Sequence, residues 1–144
     1  MHRVKKIKAA VVTVAAMAGL AVSITPAQAA DICTAGGNGK YICKYGVTKH
    51  DLPNGEDEQY FVGTDYAVWT RWTTNGSWSR WTSMGKPDPY GKASAASPIK
   101  VTDTQTSNQF RTTVHLTNSN GAFVGKTRYD IGLDWQNWDF PNCC

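Results

Sequence analysis

Tryptophan and arginine carry the chemistry this chain is equipped for. Trp69, Trp72, Trp78 and Trp81 fall within thirteen residues with Arg71 among them, and Arg128, Tyr129, Trp135 and Trp138 repeat the combination further on. Indole faces stack on sugar rings or bury into a protein partner, and a guanidinium either hydrogen-bonds a ligand or braces an aromatic face. Both are non-covalent recognition. Covalent catalysis has no comparable signature: His50 and His115 each stand alone in sequence, with no activated nucleophile beside them. Asp51, Glu56, Glu58, Asp65 and Asp134 are carboxylates that no segment sets as a glycosidase pair. No compact metal or nucleotide motif stands out, so no cofactor and no metal are expected. The residues point to a binding protein rather than an enzyme.

The elements that must position these side chains read as strands. Gln59 to Gly63, Ala67 to Thr73 and Ser77 to Ser83 alternate, with turns at Thr64-Asp65 and Asn75-Gly76, the second a favoured hairpin pair. Asn75-Gly76-Ser77 also fits a glycosylation sequon but reads better as that turn. Upstream, Thr34 to Lys40 is a Gly/Asn turn, and Tyr41 to Val47 alternates as a strand with Tyr41, Cys43 and Tyr45 on one face. Lys49 to Gly55 reads as a polar loop, and Glu56-Asp57-Glu58 as a solvated strand entry. Lys86 to Pro98 is a long polar loop broken by three prolines. Beyond it, Ile99 to Thr104, Phe110 to Leu116 and Ala122 to Tyr129 read as strands, followed by a short one over Asp134 to Trp138. No helix is expected in this part of the chain. Residues three apart on a strand face opposite sides, so each Trp-x-x-Trp pair should send one ring to the core and one outward.

Residues 1–29 have the pattern of a secretory signal peptide. Arg3, Lys5, Lys6 and Lys8 precede the apolar run Ala9 to Val22, and Pro26-Ala27-Gln28-Ala29 supplies a small-residue cleavage site before Ala30. The apolar run is too short for a stable membrane span. A secreted chain is expected, with residues 30–144 as one β domain. Of the 15 Lys and Arg, those four belong to the leader, which leaves 11 against 11 Asp and Glu. A neutral domain has no bulk charge for nucleic acid or for an anionic membrane. After residue 29 there are three Leu, four Ile and six Val, but six Trp, six Tyr and four Phe, so the core must be largely aromatic.

Cys33, Cys43, Cys143 and Cys144 give a secreted chain two disulfides in one of three connectivities. Pairing Cys33 with Cys43 would leave Cys143 and Cys144 as a strained vicinal pair. Two end-to-end bridges avoid that strain, and each would close a loop worth roughly 4 to 5 kcal/mol in the chain-entropy model. The end-to-end staple is the expected arrangement.

An internal repeat flanks the proline loop. Asp65-Tyr66-Ala67-Val68 matches Asn120-Gly121-Ala122-Phe123 at a spacing of 55, while Arg71-Trp72 matches Arg128-Tyr129, and Trp78-Ser79-Arg80-Trp81 matches Trp135-Gln136-Asn137-Trp138, at 57. The expected fold is therefore all-β: two antiparallel four-stranded meanders, about 57–85 and 110–140, forming a small sandwich or two blade-like sheets with disulfide-stapled ends.

The run Val62-Gly63-Thr64-Asp65 through Val68-Trp69-Thr70-Arg71-Trp72 to Trp78-Ser79-Arg80-Trp81-Thr82-Ser83-Met84-Gly85 resembles a blade of the bacterial lectin-type, tectonin-like β-propellers, whose repeats line sugar pockets. Thr117 to Phe140 matches more loosely. A closed propeller needs about four blades or more, and two leave edges to be covered. Size, leader, paired meanders and terminal cysteines are also similar to the small bridging subunit of the umbrella toxin particles secreted by filamentous actinobacteria. That subunit joins a lectin subunit to a large toxin-bearing one. The resemblance implies a non-enzymatic adaptor whose partners are larger secreted subunits, with Ala30 to Tyr45, and Tyr41, Ile42 and Tyr45 in particular, docking by strand addition. A carbohydrate-binding module using outward tryptophans is the alternative. A small hydrolase inhibitor presenting the Pro87 to Pro98 loop is a third reading.

Overall fold

The computed structural model describes residues 29–141; the expected leader up to Gln28, together with Asn142, Cys143 and Cys144, lies outside the described residues. The described chain is all-β with antiparallel pairing throughout, and its sheets do not close into a barrel. The first meander runs β3 (Val47–Asp51), β4 (Asp57–Val62) and β5 (Val68–Thr74), and the short β6 (Ser77–Trp78) and β7 (Thr82–Ser83) both pair with β5. The second runs β8 (Lys100–Gln105), β9 (Phe110–Thr117) and β10 (Phe123–Tyr129). Ahead of both stands the hairpin of β1 (Ile32–Ala35) and β2 (Gly39–Ile42).

The repeat is present in the backbone. In the β4–β5 turn the Gly63 N–H donates to Ala67 O and the Tyr66 N–H to Gly63 O, both at 2.9 Å. In the β9–β10 turn the Asn118 N–H donates to Ala122 O and the Gly121 N–H to Asn118 O, again at 2.9 Å. Tyr66 and Gly121 take the positive φ this turn requires, at 59° and 76°. In each repeat the residue that opens the turn also bridges to an upstream extended segment, Gly63 to Tyr41 and Asn118 to Ala95.

The layers stack in one direction. On β4 and β5, Phe61, Trp69 and Arg71 share one face, and the hairpin covers it: Tyr41 stacks on Phe61 at 5.6 Å and the Trp81 ring sits 4.1 Å from Phe61. Tyr60, Val62 and Val68 point the other way and join Val114, Leu116, Val124 and Trp138 of the second repeat in one buried cluster. The outward face of the second sheet, with Thr102, Thr113, Thr127, Phe123 and Tyr129, has no further layer on it among the described residues. Because both faces of β4 are covered, Tyr60, Phe61 and Val62 are all buried, which is why this strand lacks clean alternation.

Several expectations are corrected. Cys33 is bonded to Cys43 across the β1–β2 hairpin, with Cα atoms 5.1 Å apart, so neither cysteine is available for the end-to-end staple. Chain-entropy gain favoured the long loops, but the hairpin register already sets Cys33 opposite Tyr41 and brings Cys43 within reach. The strand over Tyr41 to Val47 is broken by a 3₁₀ turn at Cys43–Tyr45 and by Gly46 at φ 67°, and β3 then takes Lys49, His50 and Asp51 from the expected polar loop. The strand over Ser77 to Ser83 is split into β6 and β7. Asp134 to Trp138 makes only isolated bridges, Arg128 to Trp135 and, just beyond, Gly125 to Asp139.

Candidate functional site

Neither Trp-x-x-Trp segment is regular strand, so period-two alternation does not govern its rings. Instead each segment folds back over its own sheet, and cations of the last long strand hold the indoles. Arg71 lies 4.3 Å from the Trp78 ring and 4.8 Å from the Trp81 ring. In the second repeat two residues divide this role, with Arg128 4.7 Å from Trp135 and Lys126 5.5 Å from Trp138. The strand register explains the split. Arg71 stands opposite Gln59, the second cross-strand pair below Phe61–Trp69; the position two residues beyond Val124 on β10 is Lys126, and Arg128 falls one pleat further out.

Two grooves flank these stacks. The first, of about 630 Å³, opens between the hairpin and the first sheet and is lined by Trp69, Trp78, Trp81, Asp65, Arg80 and Asn38. Its walls are fixed: Trp69 Nε1 donates to Asp65 Oδ1 at 3.0 Å, and Trp81 Nε1 to the Gly36 carbonyl at 2.7 Å. The second, of about 700 Å³, opens between the two repeats beside Trp72, Trp135, Lys126 and Arg128. Beneath it, five polar groups join the sheets. Glu58 accepts from Arg128 Nη1 at 2.5 Å, from the Tyr60 hydroxyl at 2.7 Å and from His50 Nδ1 at 2.9 Å. His50 Nε2 reaches Asp103 at 2.7 Å. A carboxylate against each ring nitrogen favours the doubly protonated ring, which donates from both. The Glu58 contact, and then Asp103, accordingly raise its pKa against the pull of burial. Burial would raise the Glu58 carboxyl, but the hydrogen bonds from His50, Arg128 and Tyr60 outweigh it and hold the group below its ordinary value.

The structure divides the expected binding residues into four groups. Trp69, Trp78 and Trp81 meet in the first groove, with Arg71 buried behind them; Trp72, Arg128 and Trp135 meet in the second. Tyr129 stands apart, exposed on the outward face of the second sheet. Trp138, also an expected binding residue, is buried and donates its indole N–H to the Met84 carbonyl at 2.7 Å. The expected docking strand is also occupied at home: Ile42 lies in the core, Tyr41 on Phe61, and half-buried Tyr45 under the Lys44 ammonium. The proline loop is packed down through buried Pro87, Ala93 and Ala95, while Pro89, Tyr90, Gly91, Lys92, Ala96 and Pro98 are exposed.

Sequence reasoning missed Glu58, His50, Asp103 and Lys126. A signal for the first was present, since Glu58 is in period-two step with Tyr60 and Val62 and so belongs to the buried face. The sequence matches no protein-family profile, and no curated protein is similar to it at a significant level.

Proposed function

We propose that the chain is a secreted, non-enzymatic adaptor that docks a larger secreted protein on the outward face of its second sheet. One observation carries this reading: among the described residues, the stack of layers is capped at one end by the disulfide-bonded hairpin and open at the other. An open face in that position is a ready surface for a layer supplied by another protein. Phe123 and Tyr129 stand on its edge strand as aromatic anchors, and threonines of β8, β9 and β10 share the face with them. Lys100 and Arg111 give the face positive charge, which suits a partner presenting an acidic strand-rich surface. A second copy of the chain fits poorly, since two-fold pairing would set these cations against themselves. This docking surface replaces the Ala30 to Tyr45 strand, which is already bonded within its own domain.

The test is recovery of the tagged protein from the supernatant of cells that secrete it. A stoichiometric larger protein that is lost from Phe123→Asp and Tyr129→Asp variants, with folding retained, supports the reading. Recovery as a lone monomer sinks it.

A second reading, glycan binding, is favoured by the first groove, where three indoles meet Asp65, Arg80 and Asn38. It predicts indole fluorescence changes with a specific neutral sugar that Trp78→Ala removes. A flat response across a broad glycan panel would discard it.

A further inference from the structure

Arg71 and Arg128 close matching motifs, but only Arg71 has its Nε satisfied. Each faces a register partner on the neighbouring strand, Gln59 for Arg71 and Thr112 for Arg128. Gln59 Oε1 accepts from Arg71 Nε at 2.9 Å. Thr112 is shorter, fully buried, and donates its hydroxyl to Asp103 at 2.9 Å. Arg128 therefore uses Nη1 on Glu58, while its Nε and Nη2 are buried with no hydrogen-bond partner among the described residues. The side chain is only 8 % exposed. Those two nitrogens form one edge of the planar guanidinium, a pair of parallel donors at the spacing a carboxylate accepts.

The residue that carries this free edge lines the 700 Å³ groove between the repeats. Lys126 adds a second cation there, one whose pKa burial pulls down. Trp72 and Trp135 form indole walls, and Ile131 and Leu133 an aliphatic lip, with Leu133 56 % exposed. The nearby carboxylates do not meet the need: Asp134, which also lines the groove, makes no hydrogen bond to Arg128. Glu58 is shared among Arg128, His50 and Tyr60, and Glu56 is turned to the Thr73 hydroxyl and the Asn75 amide.

We propose that the groove between the repeats is a binding site for a peptide carboxylate, which reaches the unpaired edge of Arg128 as the buried guanidinium turns toward the groove, with the adjoining apolar side chain against Trp72 and Leu133. The two oxygens of a carboxylate match the two N–H groups and bring the opposite charge, whereas the hydroxyls of a neutral sugar accept from them without it. The choice of a peptide rests on the adaptor reading, since the carboxylate would come from a partner's chain terminus or from an Asp or Glu side chain.

The test is a titration of the folded protein, read by tryptophan fluorescence, with four probes: a short peptide ending in Leu with a free carboxylate, its C-terminal amide, the same amide carrying a penultimate Glu, and free glucuronate. Binding by an acid-bearing peptide at least tenfold tighter than by the acid-free amide is expected, and the better of the two acidic forms names the source of the carboxylate. Arg128→Lys, which keeps a charge for Glu58 but loses the fork, should weaken it about tenfold or more. Leu133→Ser, at an exposed position, should weaken it several-fold with the unfolding midpoint unchanged. Equal binding of the acid-free amide, binding of glucuronate alone, or no response to any probe overturns the proposal. Because the probes are free peptides, these results do not bear on partner recovery through Phe123 and Tyr129, and the two readings fail separately.

Discussion

The Trp138 indole N–H donates to the Met84 carbonyl at 2.7 Å, so the end of the second repeat is hydrogen-bonded to the end of the first. Trp81 makes the corresponding bond at 2.7 Å to Gly36 in the hairpin. The second tryptophan of each motif therefore reaches back to the layer before its own, and the hairpin stands where a preceding repeat would. This relation gives the stack a direction, with a capped start and an open end.

Trp138 is buried against the core, so removing it should be costly. Trp138→Ala is expected to lower stability by about 3 to 5 kcal/mol. Trp138→Phe keeps a ring but leaves the Met84 carbonyl unmatched, and should cost about 1 to 3 kcal/mol. Urea unfolding followed by circular dichroism measures both. A loss below about 1 kcal/mol for the alanine variant would contradict the buried placement.

The Cys33–Cys43 bond closes a short loop at the capped end. Chain entropy assigns such a loop about 3 kcal/mol, so Cys33→Ser should lower the unfolding midpoint in urea by a corresponding amount. Proteolysis of the unreduced protein should release a peptide pair joined through these two residues. A fragment linking Cys33 or Cys43 to the C-terminal cysteines would refute the pairing.

The strands of both meanders were legible because turn chemistry and alternation agree there: Asn75-Gly76 sits between β5 and β6, and Phe110 to Leu116 alternates against one core. Segments whose shape depends on a distant contact were not. Nothing local says that Tyr41 to Val47 will break, because the break comes from the disulfide turn and from Gly46. The Trp-x-x-Trp segments read as strands by composition, but their rings are set by Arg71, Lys126 and Arg128 on the preceding long strand, and by carbonyls in another layer. Of the polar cluster, Glu58 and Tyr60 had a periodic signal, in step with Val62 on β4. His50 and Asp103 are 53 residues apart and meet only once the two sheets pack.

Gly39 is where the hairpin presses hardest on the Trp81 ring. A Cβ there would come 2.5 Å from Trp81 Nε1 and 2.6 Å from Phe61 Cε1, too close for either aromatic to stay in place. Gly39→Ala should therefore cost about 1 to 3 kcal/mol and shift Trp81 out of the first groove. Urea unfolding gives the first quantity and the tryptophan emission maximum reports the second. An unchanged spectrum with unchanged stability would mean that the hairpin does not hold Trp81.

The triad of His50, Glu58 and Asp103 predicts how stability follows pH. His50 has a folded pKa raised above 6.5, chiefly by the Glu58 hydrogen bond, so the folded state holds that proton more tightly. Its contribution is complete below pH 6.5 and is lost as pH rises through the raised value. Glu58 is net lowered from 4.5, so its contribution is complete above that value and is lost as pH falls through the lowered one. His115 acts with the opposite sign to His50: burial first, then Lys100, lowers its pKa, which favours the folded state above pH 6.5. The informative quantity is thus the difference between the wild type and His50→Gln in urea midpoint, followed from about pH 4 to about pH 9. That difference should be largest between pH 4.5 and 6.5 and should shrink as pH rises further, since only the wild type has the imidazolium to lose. A constant difference across the range would mean that His50 is neutral between its two carboxylates, and the ionic link between the sheets would have to be abandoned.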